Sequence, residues 1–262
     1  VIIFNRNRFS EGAKYCFKNK FNYSSGGIVD LVTHLNDDYN IIYDCTSAQA
    51  SQEIYKKLKK KLNIKNYYIN LTPSSIGKYF IPYFSKIKIP KVINMITCGG
   101  QSTSPVIIEM KKKIKDIKYV EVISSIASKS AGIATRQNVN EYIINTQNAI
   151  SVLSGITKNK VILNLNPADP PVNMMNSIFF ECKKLDKKKI EIAKKILKKI
   201  NLKIKKYIPG YNAKLFYQGN EKYFRVTIRV VGSGDYLSTY AGNLDIITSS
   251  SAYLGKLINE QN

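Results

Sequence analysis

The chain has 262 residues, of which 44% are hydrophobic, enough for a core in one large or two modest domains. No stretch approaches the roughly 20 uninterrupted apolar residues of a membrane span, and the N-terminus lacks the pattern of a secretory signal, so a cytoplasmic protein without membrane contact is expected. The formal charge of +23 suits a nucleic-acid partner, yet Lys, Asn and Ile are used heavily everywhere, as an AT-rich coding bias would produce without selection for polyanions.

In chain order, "VIIF" (1–4) reads as a strand, "EGAKYCFKNK" as a short helix, "NIIYDCTS" as a strand and "SQEIYKKLKKKL" as a helix. "NYYINLTP" and "KVINMITC" follow as strands. Short buried strands separated by helices imply a parallel, doubly wound sheet. Beyond Gly100 the pattern predicts a helix over 105–117, a strand "KYVEVISSIAS", a long helix over about 137–153 and a strand "KVILNLNP". "NSIFFECKK", a Lys-rich helix over 187–204, the alternating strand pair "AKLFYQGNEKYFRVTIRVV" and a final helix "AYLGKLINE" complete the chain. The expected fold is therefore α/β. A Rossmann-like parallel sheet over 1–97, to which 241–262 returns, is followed by an α+β domain over 98–240 built on a mixed sheet.

The densest basic runs, "KKLKKKLNIK" (56–65) and "KKLDKKKIEIAKKILKKINLKIKK" (183–206), alternate Lys with Leu and Ile at helical spacing, which assigns them to the solvated faces of amphipathic helices. The 18 Tyr and 10 Phe form no aromatic ladder beside these runs, so no specific nucleic-acid site is expected. Cys16, Cys45, Cys98 and Cys182 lie far apart, without a CxxC pair and with His34 as the only histidine, which argues against a disulfide framework or a metal site.

Ligands of doubly wound sheets sit beyond the carboxyl ends of the strands. "YDCTSAQA", "INLTPSSIG" and "MITCGGQS" are three such strand ends, and Cys98 stands at the last. Gly99 and Gly100 would allow close backbone approach, and a helix N-terminus just beyond would favour the thiolate. Cys98 is thus a nucleophile or a small buried hydrophobe in a turn. Cys45 and Cys182 read as core cysteines inside apolar strands.

"VINMITCGGQSTSPVI", "SSIASKSAGIATRQNVNEY", "LNLNPADPPVNM" and "YAGNLDIITSSSA" resemble the signature segments of the acylating acetaldehyde dehydrogenases, with "IIYDCTSAQA", "INLTPSSIGKYFIP" and "KYIPGY" in matching order between them. The resemblance implies a Rossmann NAD domain followed by an α+β catalytic and dimerisation domain, a homodimer, and a 4-hydroxy-2-oxovalerate aldolase as partner. It implies oxidation of acetaldehyde or another short aldehyde to acyl-CoA, with reduction of NAD or NADP and coenzyme A as co-substrate. Cys98 matches the family nucleophile. Ser130, Ala131, Gly132, Ile133, Ala134, Thr135, Arg136, Gln137 and Asn138 match the cofactor loop, and Asn243 matches a contact near the nicotinamide. Read alone, Ser130 or Asn138 would be a helix N-cap and Asn243 a turn amide.

Three departures stand beside the matches. The family's first strand and glycine-rich phosphate turn precede the position that Val1 matches, so the chain is expected to be a fragment or to have lost its dinucleotide site. Met175 and Asn176 occupy the places of the family's Arg-Asp pair, leaving the carboxylate's task vacant. The stretch between Phe216 and Arg225 is shorter than the family's loop. At the end of "VIIFNRNRFSEG", Asn5 or Asn7 takes the place of the ribose-binding acid, and Arg6 and Arg8 beside it favour NADP; the other reading is a basic surface turn. A semialdehyde or glyceraldehyde phosphate type dehydrogenase would require a histidine base, for which His34 on a helix surface is poorly suited. A degenerate, non-catalytic family member acting as a structural or interaction subunit is the alternative outside enzymes.

Overall fold

The computed structural model describes residues 1–35, 40–85, 87–219 and 221–261. The chain begins with β1 (Ile2–Phe4), α1 (Glu11–Lys18), β2 (Asn22–Ser24) and α2 (Gly27–His34), and β1 pairs with β2 in parallel. Ser10 caps α1 through its hydroxyl, which accepts from the Ala13 amide. β3 (Ile41–Asp44), α3 (Ala48–Leu58), β4 (Tyr67–Asn70), β5 (Lys78–Tyr79) and β6 (Val92–Asn94) then form a second parallel sheet in the order β3-β4-β6-β5. Each of its strands has two to four residues, and all four residues of β4 are buried.

The remainder is built on a mixed sheet. α4 (Cys98–Lys113) leads to β7 (Ile117–Ala127), α5 (Ile133–Gln137), α6 (Val139–Ser154), β8 (Asn159–Asn166), β9 (Met174–Cys182), α7 (Lys187–Ile204), β10 (Tyr211–Phe216) and β11 (Tyr223–Val230). The strand order is β10-β11-β9-β7-β8, with β7 and β8 parallel and the other pairs antiparallel. Along β9, Met174, Asn176, Ile178, Phe180 and Cys182 are buried, while Met175 and Phe179 are exposed. The period-2 pattern turns one face toward α4, α6 and α7. α8 (Gly242–Asn259) closes the chain by sending Ile247, Leu254 and Ile258 into the cluster of Tyr67, Ile69, Ile93 and Met95.

The α/β fold, the return of the last helix and the solvated lysines of α3 and α7 agree with the sequence reading. α4 does not: it starts at Cys98, seven residues before the expected position, because Thr97 caps it by accepting from the Gly100 amide at 2.9 Å and Pro105 is carried inside the helix. α8 likewise starts ten residues before "AYLGKLINE". β2 and β5 were not expected at all, being three and two residues long. Cys182 is buried as foreseen, but Cys45 is exposed, since β3 ends at Asp44 and the chain leaves the sheet there.

Candidate active site

Cys98 packs against both hydrophobic clusters that meet at α4, one belonging to the mixed sheet and the other to the four-stranded sheet and α8. A strained turn presents it. Ile96 adopts a left-handed backbone conformation with φ of +65°, which is costly for a β-branched residue and persists only where its surroundings impose it. Two buried asparagines do so: Asn94 Oδ1 accepts from the Ile96 amide at 2.7 Å, and Asn145 Nδ2 donates to the Ile96 carbonyl at 2.8 Å. Thr97 is then extended, and Cys98 is the first residue of α4.

The two glycines serve packing more than ligand approach. A Cβ on Gly99 would overlap the Tyr142 hydroxyl and crowd Ser124 Oγ at 2.7 Å, and a Cβ on Gly100 would run into the Ile96 side chain. The rest of the first turns is tied to the mixed sheet: Ser102 Oγ donates to the Gly99 carbonyl at 2.9 Å, Asn176 Nδ2 donates to Ser102 Oγ at 3.0 Å, and Tyr211 Oη, from "KYIPGY", donates to the Ser102 carbonyl at 2.9 Å.

Burial pushes the Cys98 thiol up to about 11, against the Tyr142 hydroxyl and the Gly99 and Cys98 amides, which pull it down. The amides at the start of α4 act in the expected direction, toward the thiolate, but desolvation outweighs them. The residue as a whole is half-buried, at the edge of both clusters.

The Ser130–Asn138 segment and Asn243 lie far apart in the chain yet meet: Asn243 Nδ2 is 3.4 Å from the Ser130 carbonyl that it donates to. Of the simpler readings, only the N-cap position of Asn138 is met, and that without a side-chain capping bond. Ser130 ends a short 3-10 turn and its hydroxyl donates to the Ala127 carbonyl at 2.9 Å; Asn243 lies in the first turn of α8. Arg136 braces the segment from within, its guanidinium donating to the Ala131 and Ser128 carbonyls and to Ser128 Oγ. Gly132 is exposed, Thr135 is half-buried and Gln137 is exposed; the side chains of Ile133 and Ala134 lie outside the described ones.

Several buried polar atoms on α4 and on elements that pack against it have no partner. Gln101 Oε1 and Ser104 Oγ on α4, Asn176 Oδ1 on β9 and Asn243 Oδ1 on α8 are all unsatisfied among the described residues. Orphaned buried polar atoms cost about 1–3 kcal/mol each unless something meets them, so each is a group that a bound ligand could satisfy. Sequence reasoning missed Tyr142, Ser124 and Gln101, because a tyrosine or serine in an apolar helix or strand carries no motif.

Arg6 and Arg8 lie elsewhere, exposed on the turn after β1. Asn5 and Asn7 shape that turn: Asn5 Oδ1 accepts from the Asn7 amide at 3.2 Å and Asn7 Oδ1 from the Phe9 amide at 3.0 Å. His34 ends α2 with its ring against Phe4. Among the described residues no group of three or more His, Cys, Asp or Glu is disposed to hold a metal ion, and no helix is long and apolar enough to cross a membrane.

A parallel α/β sheet joined to a larger mixed sheet, with Cys98 packed against the clusters of both, is the architecture to compare with known folds. A solved probable aspartate-semialdehyde dehydrogenase from Pseudomonas aeruginosa is similar in fold, with a TM-score of 0.54 over 82% of this chain and 79% of that one at 7% identity. The family described as "Prokaryotic acetaldehyde dehydrogenase, dimerisation" matches residues 98–238. An acetaldehyde dehydrogenase of Burkholderia pseudomallei (strain 668) is 35% identical over 254 residues, covering 95% of this chain and 82% of the relative. One of Carboxydothermus hydrogenoformans is 37% identical over 246 residues, covering 92% and 79%. One of Pectobacterium atrosepticum is 37% identical over 224 residues, covering 84% and 74%. The chain belongs to the acetaldehyde dehydrogenase family. That membership supports an oxidoreductase acting on aldehydes, and the matched dimerisation region supports a homodimer.

Proposed function

We propose that this chain is a CoA-acylating aldehyde dehydrogenase working through a thioester on Cys98. The observation that carries the reading is the position of Cys98: first residue of α4, presented by the strained Ile96 turn at the point where the two hydrophobic clusters meet. The thiolate adds to the carbonyl carbon of acetaldehyde or another short aldehyde to give a thiohemiacetal. Loss of a hydride from that carbon leaves an acyl thioester on Cys98, which the thiol of coenzyme A then accepts, releasing the Cys98 sulfur for another turnover. A bound nicotinamide, as NAD or NADP, supplies the acceptor for the hydride.

The residues fit such a cofactor in one respect that does not depend on resemblance. The Asn243 side chain is buried with its Oδ1 unsatisfied beside the Ser130 carbonyl, so the two sides of the proposed cofactor contact, Asn243 and the Ser130–Asn138 segment, form one polar corner. Residues 1–97 with 241–262 constitute the cofactor half in this reading, and 98–240 the catalytic and dimerisation half; the packing of α8 against β4 and β6 supports the division. Arg6 and Arg8 would select NADP. A 4-hydroxy-2-oxovalerate aldolase is the expected protein partner, for which co-purification of the two proteins is the direct test.

Cys98→Ala should abolish CoA-dependent aldehyde oxidation while leaving the circular dichroism spectrum unchanged, and mass spectrometry should detect an acyl adduct on Cys98 in the parent quenched without CoA. Equal turnover by variant and parent would end the assignment. Asn176 supports the second reading, a non-catalytic subunit, because an uncharged amide stands where the family carries a carboxylate. A folded parent with bound NAD(P) and no turnover of any short aldehyde would favour it.

A further inference from the structure

We propose that Tyr142 is a catalytic residue: its hydroxyl donates a hydrogen bond to the Cys98 thiolate and stabilises the charge on sulfur. The proposal rests on the reading of Cys98 as the nucleophile. Tyr142 Oη lies 3.8 Å from Cys98 Sγ, within hydrogen-bond range for sulfur, and the tyrosine is buried within α6. The backbone makes room for it, since the hydroxyl fills the space that a Cβ on Gly99 would take. A side chain larger than glycine beside the nucleophile would expel it.

Two neighbouring hydroxyls share the pocket with the sulfur: Ser124 and Thr97 also hydrogen-bond with the Tyr142 hydroxyl, and both favour its ionised form, whereas the sulfur opposes it. Thr97 Oγ1 accepts from the Gly100 amide and is bonded to Thr146 Oγ1 at 2.8 Å, while Thr146 Oγ1 donates to the Tyr142 carbonyl at 2.7 Å. Ser124 Oγ lies on the same spot, beside the Tyr142 hydroxyl, so the phenol can turn to the sulfur while Ser124 supports its oxygen.

The direction of the hydrogen bond changes with charge. In the neutral pair the thiol donates to Oη; once the thiol proton leaves to water, the Tyr142 O–H turns to the sulfur. Burial holds the Tyr142 phenol well above its ordinary range, so the hydroxyl keeps its proton at neutral pH and is a donor there, not a base. Tyr142 and the Gly99 and Cys98 amides act on the thiol's titration; Glu141 of α6, Asp245 of α8, Glu121 of β7, Glu181 of β9 and the α7 lysines do not. With Asn176 uncharged, Tyr142 is the one ionisable side chain that touches the sulfur among the described residues.

The test is Tyr142→Phe, which deletes the oxygen and keeps the ring. The rate of iodoacetamide alkylation at Cys98 is followed by peptide mass spectrometry between about pH 7 and 10, with exposed Cys45 as the reference in the same sample. Without the donor the thiol titrates higher, so less thiolate is present at each pH. The Cys98 rate should fall about tenfold, the plot of log rate against pH moving up by about one unit as a whole, with Cys45 unmoved. Coincident Cys98 plots for parent and folded variant overturn the proposal. If Tyr142→Phe does not fold, Tyr142→Met carries the same readout. Alkylation needs neither aldehyde nor coenzyme. A parent that lacks aldehyde oxidation would therefore defeat the nucleophile reading without touching this measurement, and an active enzyme with coincident plots would defeat only the hydrogen bond.

Discussion

β7 to β11 are six to 11 residues long, share one sheet and supply the largest cluster of fully buried side chains. β1 to β6 are two to four residues long and fall into two separate sheets, and the segment around the first, residues 1–34, leaves Ile2, Phe9, Phe17, Phe21 and Val29 exposed. The contrast separates two jobs. Stability of the second half comes from long alternating strands that bury one face under α4, α6 and α7, whereas the first half contributes strand ends, turns and the exposed arginines. Cys98 belongs to neither alone, and its helix is anchored in the stable half while its preceding turn belongs to the other.

The contrast can be broken most directly by truncation. Phe180→Ala removes a ring that is fully buried and stacked on Phe224 with centroids 4.6 Å apart, and should cost about 3–5 kcal/mol in denaturant unfolding. Val29→Ala, on a helix without a single buried residue, should change stability by no more than about 0.5 kcal/mol. Similar losses at both positions would mean that the first half is covered by something in solution and that the two regions are equally well packed.

The seam itself is tested by Gly99→Ala. The added methyl meets the Tyr142 hydroxyl and Ser124 Oγ in a fully packed site, and overpacking of this kind costs about 1–3 kcal/mol. The first turn of α4 must shift to relieve it, so aldehyde oxidation should fall much further than stability does. A variant with parental kcat/KM would show that Cys98 does not depend on this contact.

Much of this was legible in the sequence, for identifiable reasons. α7 falls on Lys187–Ile204 as read, since Asp186 caps it and Ile190, Ala193, Leu197, Ile200 and Ile204 repeat on one face. α4 was misplaced because Pro105 imitates a helix start, and nothing in the sequence reveals that Thr97 already caps the helix. Tyr142 was invisible because its role depends on the missing Cβ of Gly99, 43 residues earlier in the chain. The corner of Asn243 and Ser130 joins positions 113 apart, which resemblance suggested but periodicity could not.

The smallest expected effect concerns the exposed turn after β1. A guanidinium pairs with a 2′-phosphate through charge-assisted bonds of about 1.5–3 kcal/mol, or roughly tenfold to 150-fold in discrimination, and exposure of the turn places the expected value at the lower end. Asn5 and Asn7 are engaged with backbone amides, and among the described residues neither Arg6 nor Arg8 forms an ion pair, Arg8 lying 4.9 Å from the Phe9 ring centroid. The net charge of +23 attracts both cofactors and coenzyme A alike, which raises all affinities together, fades with salt and discriminates little. Only the ratio of kcat/KM for NADP over NAD isolates the local contact. Measured in moderate salt, it should favour NADP in the parent and fall about tenfold in Arg6→Ala/Arg8→Ala. A parent that prefers NAD, or a ratio that the double change leaves unmoved, would return both arginines to the general basic surface and leave cofactor choice to the Ser130–Asn138 side of the site.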